Sequence, residues 1–533
     1  MAEILTHRRY DKLRQALLNR QEVALIDVRE EAAYAEGHPL FAVNIPLSKL
    51  EIEILNRVPR LATQVTVYDN GEGLAKRAVV RLTALGYTDV ALLEGGLAGW
   101  REAGGEVFID VNSPSKAFGE LVESRSHTPS LPAEEVQALL QSGEPVVVLD
   151  SRRFDEYQTM SIPGSISVPG AELVLRVRDL APSPTTKIIV NCAGRTRSII
   201  GTQSLVNAGI RNPVWALRNG TIGWTLAGQP LEYGQSRRYG EVSDTARVQA
   251  ARSAREVAER AGVKHITSGQ LHEWQQSQQT VYLFDVRDAS EYAEGHLPGS
   301  RHVPGGQLVQ ETDHYASVRG AKVVLADSEG VRANMSASWL AQMGWDVAVL
   351  DGLTAADFSV SGGWTPEVPP LPAREEVEPA HLAELLAAGG TQVLDFTTSA
   401  NYVAGHIPGA AWLTRALLAV TDAAALPKAE RYVVTCGSSL LARYAIDEVA
   451  KLTGKPVAVL KGGNAAWKAA ELPVERGETR LLQERNDRYR RPYEGTDNST
   501  QAMQAYLDWE FGLIAQLDRD GTHGFNVVTQ TVR

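Results

Sequence analysis

Short apolar runs set the pattern of this chain, and they recur in one fixed order four times. Val23-Ala24-Leu25-Ile26-Asp27, Val146-Val147-Val148-Leu149-Asp150, Val281-Tyr282-Leu283-Phe284-Asp285 and Gln392-Val393-Leu394-Asp395 each end in aspartate. A second apolar run ends 42, 42, 42 and 41 residues further on, at Asp69, Cys192, Asp327 and Cys436. Each then enters a helical pattern closed by Gly86, Gly209, Gly344 or Gly454, where a left-handed residue satisfies the last carbonyls. A third run follows (Val90 to Leu93, Val214 to Leu217, Val347 to Leu350, Val457 to Leu460), and after it a turn containing glycine.

Continuously apolar, β-branched runs predict strands buried on both faces, and their alternation with helices predicts parallel sheets built from βαβ units. The expected fold class is α/β: four tandem small doubly wound parallel-sheet domains plus a C-terminal helical extension. The pattern places the domains at 1–112, 128–235, 264–368 and 374–476, with a helical linker at 236–263 and the extension at 477–533. Polar and proline-rich residues interrupt the pattern near 112–128, 233–264 and 365–376. In the extension, Met503, Tyr506, Leu507, Phe511 and Ile514 are spaced as in one amphipathic helix from Ser499 to Leu517. Ligands of such sheets bind beyond the carboxyl ends of the strands, which puts Cys192 and Cys436 at binding crevices.

A length of 533 residues exceeds what one core can serve, and 44% hydrophobic with 22% charged residues is globular composition. With 64 acidic against 53 basic side chains the net charge is −11, the wrong sign for gripping phosphate backbones or anionic lipid. Neither nucleic acid nor a membrane is an expected partner. No apolar run approaches the ~18 residues a bilayer crossing needs, and charged side chains at the start leave no room for an export signal, so a cytoplasmic location is expected. Two cysteines are too few for a disulfide framework or a four-cysteine zinc site, and the pattern calls for no metal and no cofactor.

The chemistry therefore centres on rare thiols. Cys192-Ala193-Gly194-Arg195-Thr196-Arg197-Ser198 joins a strand to a helix, where successive N–H groups and the helix N-terminus form an anion-binding nest. With two arginines beside it, such a loop is expected to lower the thiol pKa and hold a nucleophilic thiolate. The other loop, Cys436-Gly437-Ser438-Ser439-Leu440-Leu441, has no arginine before Arg443, and Cys436 is a second candidate nucleophile or inert packing. The histidines eleven residues after three of the strand-end aspartates, His38, His296 and His406, read as structural, because Ser161 takes that position in the unit with the arginine-bearing loop.

The strand end Asp-x-Arg (Asp27 and Arg29, Asp150 and Arg152, Asp285 and Arg287), the Gly-His-x-Pro-Gly-type segment, the cysteine loop and the Gly-Gly-x-x-x-Trp close (Gly95 to Trp100, Gly462 to Trp467) together resemble the rhodanese family over about residues 1–476. The resemblance implies sulfurtransferase chemistry, in which Cys192 takes the outer sulfur of thiosulfate or a related donor and passes it to a thiophilic acceptor such as cyanide or a thiol. It implies that Ala193, Gly194, Arg195, Thr196, Arg197 and Ser198 bind substrate, with Arg197 and Arg195 facing the leaving sulfite. Thioredoxin-like proteins or glutathione are the acceptor thiols to consider. Units with Asp69 or Asp327 in the cysteine slot cannot form a persulfide and are expected to be inactive. A regulatory or redox-sensing binding protein is the alternative from another class. A cysteine phosphatase is disfavoured, because four residues separate Cys192 from Arg197 where those enzymes resemble one another in having five.

Overall fold

The computed structural model describes residues 5–371 and 373–529. The outer ends of the first domain and of the C-terminal extension, and one position of the 365–376 interruption, lie outside those residues. Four five-stranded sheets are present, and in each the strands, numbered along the chain, lie side by side in the order first, fifth, fourth, second, third, all parallel. The chain winds outward on one side of the second strand and then on the other side of the fourth. The winding therefore reverses between these two strands, where α/β sheets place ligands. In the second sheet they are Val146–Asp150 and Lys187–Asn191, and Cys192 follows the latter directly.

The chain divides into two compact units. Among the described residues, one comprises 5–10, 24–111, 366–371 and 373–489, and the other 11–23, 112–365 and 490–529. The first unit holds the first and fourth sheets. Arg415 there pairs with Glu51 at 2.5 Å and with Glu448 at 2.7 Å, and Arg81 also reaches Glu448 at 2.7 Å. The second unit holds the second and third sheets, and Arg332 pairs with Glu172 at 3.0 Å and Glu291 at 2.5 Å. The helix Asp244–Arg260 lies on the helices Leu173–Leu180 and Val331–Gln342, burying Ala246, Ala250, Ala254 and Val257. It is thus a packed element of this unit and more than a tether.

Two segments differ from the sequence reading. The polar stretch after residue 112 is largely a helix, Ser113–Ser126, whose residues 113–122 are all buried. It packs on the helix Thr196–Asn207 and on the C-terminal helices, so its polar side chains find partners inside the fold. The C-terminal helix is two helices, Thr500–Phe511 and Leu513–Asp520, because the pattern is interrupted at Gly512, a weak helix former.

Candidate active site

Each of the four slot residues sits where its strand ends, and the loop after it turns main-chain N–H groups back on the slot. The carboxylates show this frame most clearly. Asp69 accepts from the N–H of Gly71 at 3.1 Å and of Ala75 at 2.9 Å, and Asp327 accepts from Glu329 at 2.7 Å and Ala333 at 2.9 Å. In both loops the donors lie two and six residues beyond the slot. At Cys436 the same positions, Ser438 and Ala442, together with Leu441, offer their N–H groups to the sulfur. At Cys192 the N–H and hydroxyl of Ser198, again six residues on, reach the sulfur. The thiol donates to Ser198 Oγ at 3.3 Å, and that hydroxyl donates to the Arg195 carbonyl at 2.9 Å.

In three of the four units a glycine from the following strand–helix turn backs the loop, and the third unit has Leu353 at that position. Gly220 has φ of +55°, and its N-terminal helix turn receives the loop: Thr221 N–H donates to the Cys192 carbonyl at 2.9 Å and Ile222 N–H to that of Ala193 at 3.0 Å. A side chain on Gly220 would begin 2.4 Å from the Cys192 carbonyl oxygen. A side chain on Gly463 would begin equally close to the Cys436 oxygen, and one on Gly96 would begin 2.6 Å from that of Asp69. The tryptophan four residues later closes the same turn, Trp224 donating to Pro230 at 2.7 Å and Trp467 to Pro473 at 2.8 Å.

The electrostatics of Cys192 depart from the sequence expectation. The side chain is buried, and burial pushes its thiol up from the ordinary value, although Arg197 and Ser198 pull it down. Both arginines are already neutralised. Arg197 makes a double ion pair with Glu156, at 2.7 and 2.9 Å, and Arg195 a double pair with Glu120, at 2.6 and 2.9 Å, plus contacts to Glu123 and Asn219. The expectation of a depressed thiol pKa is therefore corrected: two compensated guanidiniums do not outweigh desolvation. The Arg195 guanidinium also stacks on Phe511, 4.3 Å from the ring centre, and is turned to the helix Ser113–Ser126. Its main chain remains part of the loop. Burial alone would raise Glu156, yet Arg197 holds it down at about 2. Thr196 Oγ1 is buried with no hydrogen-bond partner, and Thr196 and Arg197 border a small cleft of about 40 Å³ that Ser151, Gly305 and Trp339 also line.

The other sequence-derived positions fall into supporting roles. Asp150 and Arg152 pair at 2.8 Å, Arg152 also donates to the Met160 carbonyl at 2.6 Å, and Asp27 with Arg29 and Asp285 with Arg287 repeat the arrangement. His38, His296 and His406 stack on Tyr34, Tyr292 and Tyr402 with ring centres 4.0, 3.8 and 3.7 Å apart. Their Nδ1 atoms bond to main-chain carbonyls, so they brace the fold.

The sequence reading does not single out Glu156, Glu120 or Glu510, and it takes Tyr506 only as part of an amphipathic helix. For Glu156 a signal exists. Glutamate stands six residues after the strand-end aspartate only in the units that carry arginine five residues after the slot: Glu156 with Arg197, and Glu291 with Arg332. The other two units have Ala33 with Leu74 and Asn401 with Leu441. Glu120, Tyr506 and Glu510 come from outside the repeat, and no internal comparison points to them.

Among the described residues no helix is long and apolar enough to cross a membrane, and no cluster of histidine, cysteine and carboxylate side chains could hold a metal. A crystal structure of a thiosulfate sulfurtransferase from Pseudomonas aeruginosa matches the chain with a TM-score of 0.97 and 65% identity, over 98% of this chain and 100% of that one. An uncharacterized protein of Synechocystis sp., slr1261, is 31% identical over 104 residues, 19% of this chain and 56% of the relative, so the chain spans about half the length of that curated relative. The family profile described as the rhodanese-like domain matches residues 10–103, 132–227, 267–353 and 378–470, one match on each sheet. With four such matches and this repeated loop architecture, the chain belongs to the rhodanese family.

Proposed function

We propose that the protein is a sulfurtransferase that moves a sulfane sulfur from thiosulfate or a related small-molecule donor through a persulfide on Cys192. The observation that carries this reading is the main-chain frame, which holds a carboxylate at Asp69 and Asp327 and presents the Ser198 N–H and hydroxyl to the thiol at Cys192. A frame that accommodates an anion suits a thiolate and the equally anionic persulfide. The full-length likeness to a thiosulfate sulfurtransferase supports the same donor class.

In the first half-reaction the Cys192 thiolate attacks the outer sulfur of thiosulfate. The sulfur–sulfur bond of the donor breaks, and sulfite leaves with the electron pair. In the second, cyanide or a thiolate attacks the outer persulfide sulfur and the Cys192 thiolate departs. The thiol proton is lost to solvent before the first attack, and each half-reaction conserves charge. Ala193, Gly194, Arg195 and Ser198 contribute through the main chain, the Thr196 hydroxyl is an unused donor, and Arg197 balances charge while sharing Glu156. Cys436 has the frame without a cation at the fifth position, and we place it second. In a reducing cytoplasm, our reading of its location, thioredoxin-like proteins or glutathione are acceptors of suitable chemistry.

Incubation with thiosulfate and cyanide should yield thiocyanate and sulfite. Intact-mass measurement after donor alone should find one added sulfur, mapped to the Cys192 peptide. Cys192→Ser should abolish both, and turnover surviving in that variant would sink the assignment.

A further inference from the structure

The helix Thr500–Phe511 buries Met503, Tyr506, Leu507 and Glu510, one stripe of which three members are apolar or aromatic. Met503, Tyr506 and Leu507 pack with Ile222, next to the turn that holds the Cys192 loop. The fourth member is a carboxyl group with no exposure to solvent. Tyr506 donates to Glu510 Oε1 at 2.9 Å, while Oε2 has no hydrogen-bond partner. That oxygen lies 3.4 Å from where a side chain on Gly194 would begin, and Tyr506 lies 3.0 Å from the same point. Glu510 thus rests on the cysteine loop itself. An apolar residue would fill this place without stranding a polar atom.

The groups facing this carboxyl come from three elements. The helix Ser113–Ser126 brings Glu120, which disfavours ionisation, and Lys116, which favours it; the loop brings Arg195; and Tyr506 lies on Glu510's own helix. Burial and Glu120 prevail and push Glu510 up to about 8. Once ionised, Glu510 in turn opposes ionisation of Cys192.

We propose that Glu510 is a positioning residue of the Cys192 site: uncharged against Gly194, it leaves the loop free to hold the anionic donor and persulfide, and its ionisation opposes both. The proposal rests on the sulfur-transfer reading of Cys192. It gives the C-terminal extension a part in that site.

The test uses the full chain, thiosulfate and cyanide. The ratio of kcat/KM for thiosulfate in Glu510→Gln to that in the wild type removes the part of the Cys192 titration that both proteins share. If only the uncharged acid is productive, this ratio should climb from about pH 7 upward and approach tenfold per pH unit above about 8. Glu510→Asp should retain an alkaline fall, and Tyr506→Phe, which removes a donor to the carboxylate, should move that fall to higher pH. A ratio flat across this range, or an alkaline fall unmoved in Tyr506→Phe, overturns the proposal. If Glu510→Gln does not fold, Tyr506→Phe decides the matter. Ultraviolet thiolate titration in a Cys436→Ser background provides a readout independent of turnover, and Glu510→Gln should bring Cys192 ionisation to lower pH. A shift there without any thiosulfate turnover refutes the sulfur-transfer reading and leaves Glu510's electrostatic role standing. Turnover with no shift in either measurement refutes the role of Glu510 alone.

Discussion

Replacing Gly220 by alanine would set a methyl carbon 2.4 Å from the Cys192 carbonyl oxygen and 2.8 Å from the Gly194 oxygen, at a φ of +55°. Two costs arise. The left-handed backbone penalises any side chain by ~1–2 kcal/mol. Contacts of this kind are not made below 3.0 Å, so the loop must retreat by about 0.6 Å, an overpacking that costs ~1–3 kcal/mol. Gly228 separates the two: its φ is +69° with nothing within 4 Å, so Gly228→Ala should show the backbone cost alone. Displacement of the nucleophile by a sizeable fraction of an ångström should lower thiosulfate turnover by about ten- to a hundredfold, since ~1 Å costs ~100-fold. Gly463→Ala disturbs the Cys436 loop in the same way and should lower stability while thiosulfate turnover persists. Denaturant unfolding and the thiocyanate assay read both quantities. Gly220→Ala with unchanged turnover, or Gly463→Ala with turnover lost, would refute the argument that this turn positions the reacting sulfur.

Three further outcomes follow from the geometry. Asp69→Ala and Asp327→Ala each leave two loop N–H groups without acceptors and should lose ~1–2 kcal/mol in denaturant unfolding, with thiocyanate formation retained; loss of turnover in a folded variant would mean that these units take part in transfer. Glu156, held at about 2 against 4.5 for an unperturbed carboxyl, stabilises the fold above about pH 4.5, and this share disappears as pH falls toward 2. Glu156→Gln should therefore flatten stability across that window in acid unfolding, and parallel curves would contradict the pair with Arg197. Glu51→Ala leaves buried Arg415 with Glu448 alone and should cost ~3 kcal/mol in denaturant unfolding; a change under ~1 kcal/mol would assign the pair little weight.

A bracing role for the histidines is legible from a comparison inside the chain. Ser161 occupies the position of His38, His296 and His406, and those rings stack on tyrosines. The expectation of a lowered thiol pKa has the opposite basis. It counts Arg195 and Arg197 as free positive charge, when Glu120 and Glu156 already claim them. Glu156 was recoverable, since its presence tracks that of the arginine from unit to unit. Glu120 and Glu510 stand on segments with no counterpart in the repeat, one of which reads as an interruption.

The sequence alone determined the four-fold repeat, the parallel α/β class and the slot that holds Cys192, Cys436, Asp69 or Asp327. Strand burial, loop length and glycine placement are local properties, and a run of apolar residues followed by a turn carries them wherever it sits. Tertiary structure decided which charges surround that slot. Whether an arginine acts as a free cation or as half of an ion pair, and whether a glutamate more than 300 residues away rests on the loop, depends on which surfaces meet. Electrostatic interactions act through space and through burial, neither of which follows chain order.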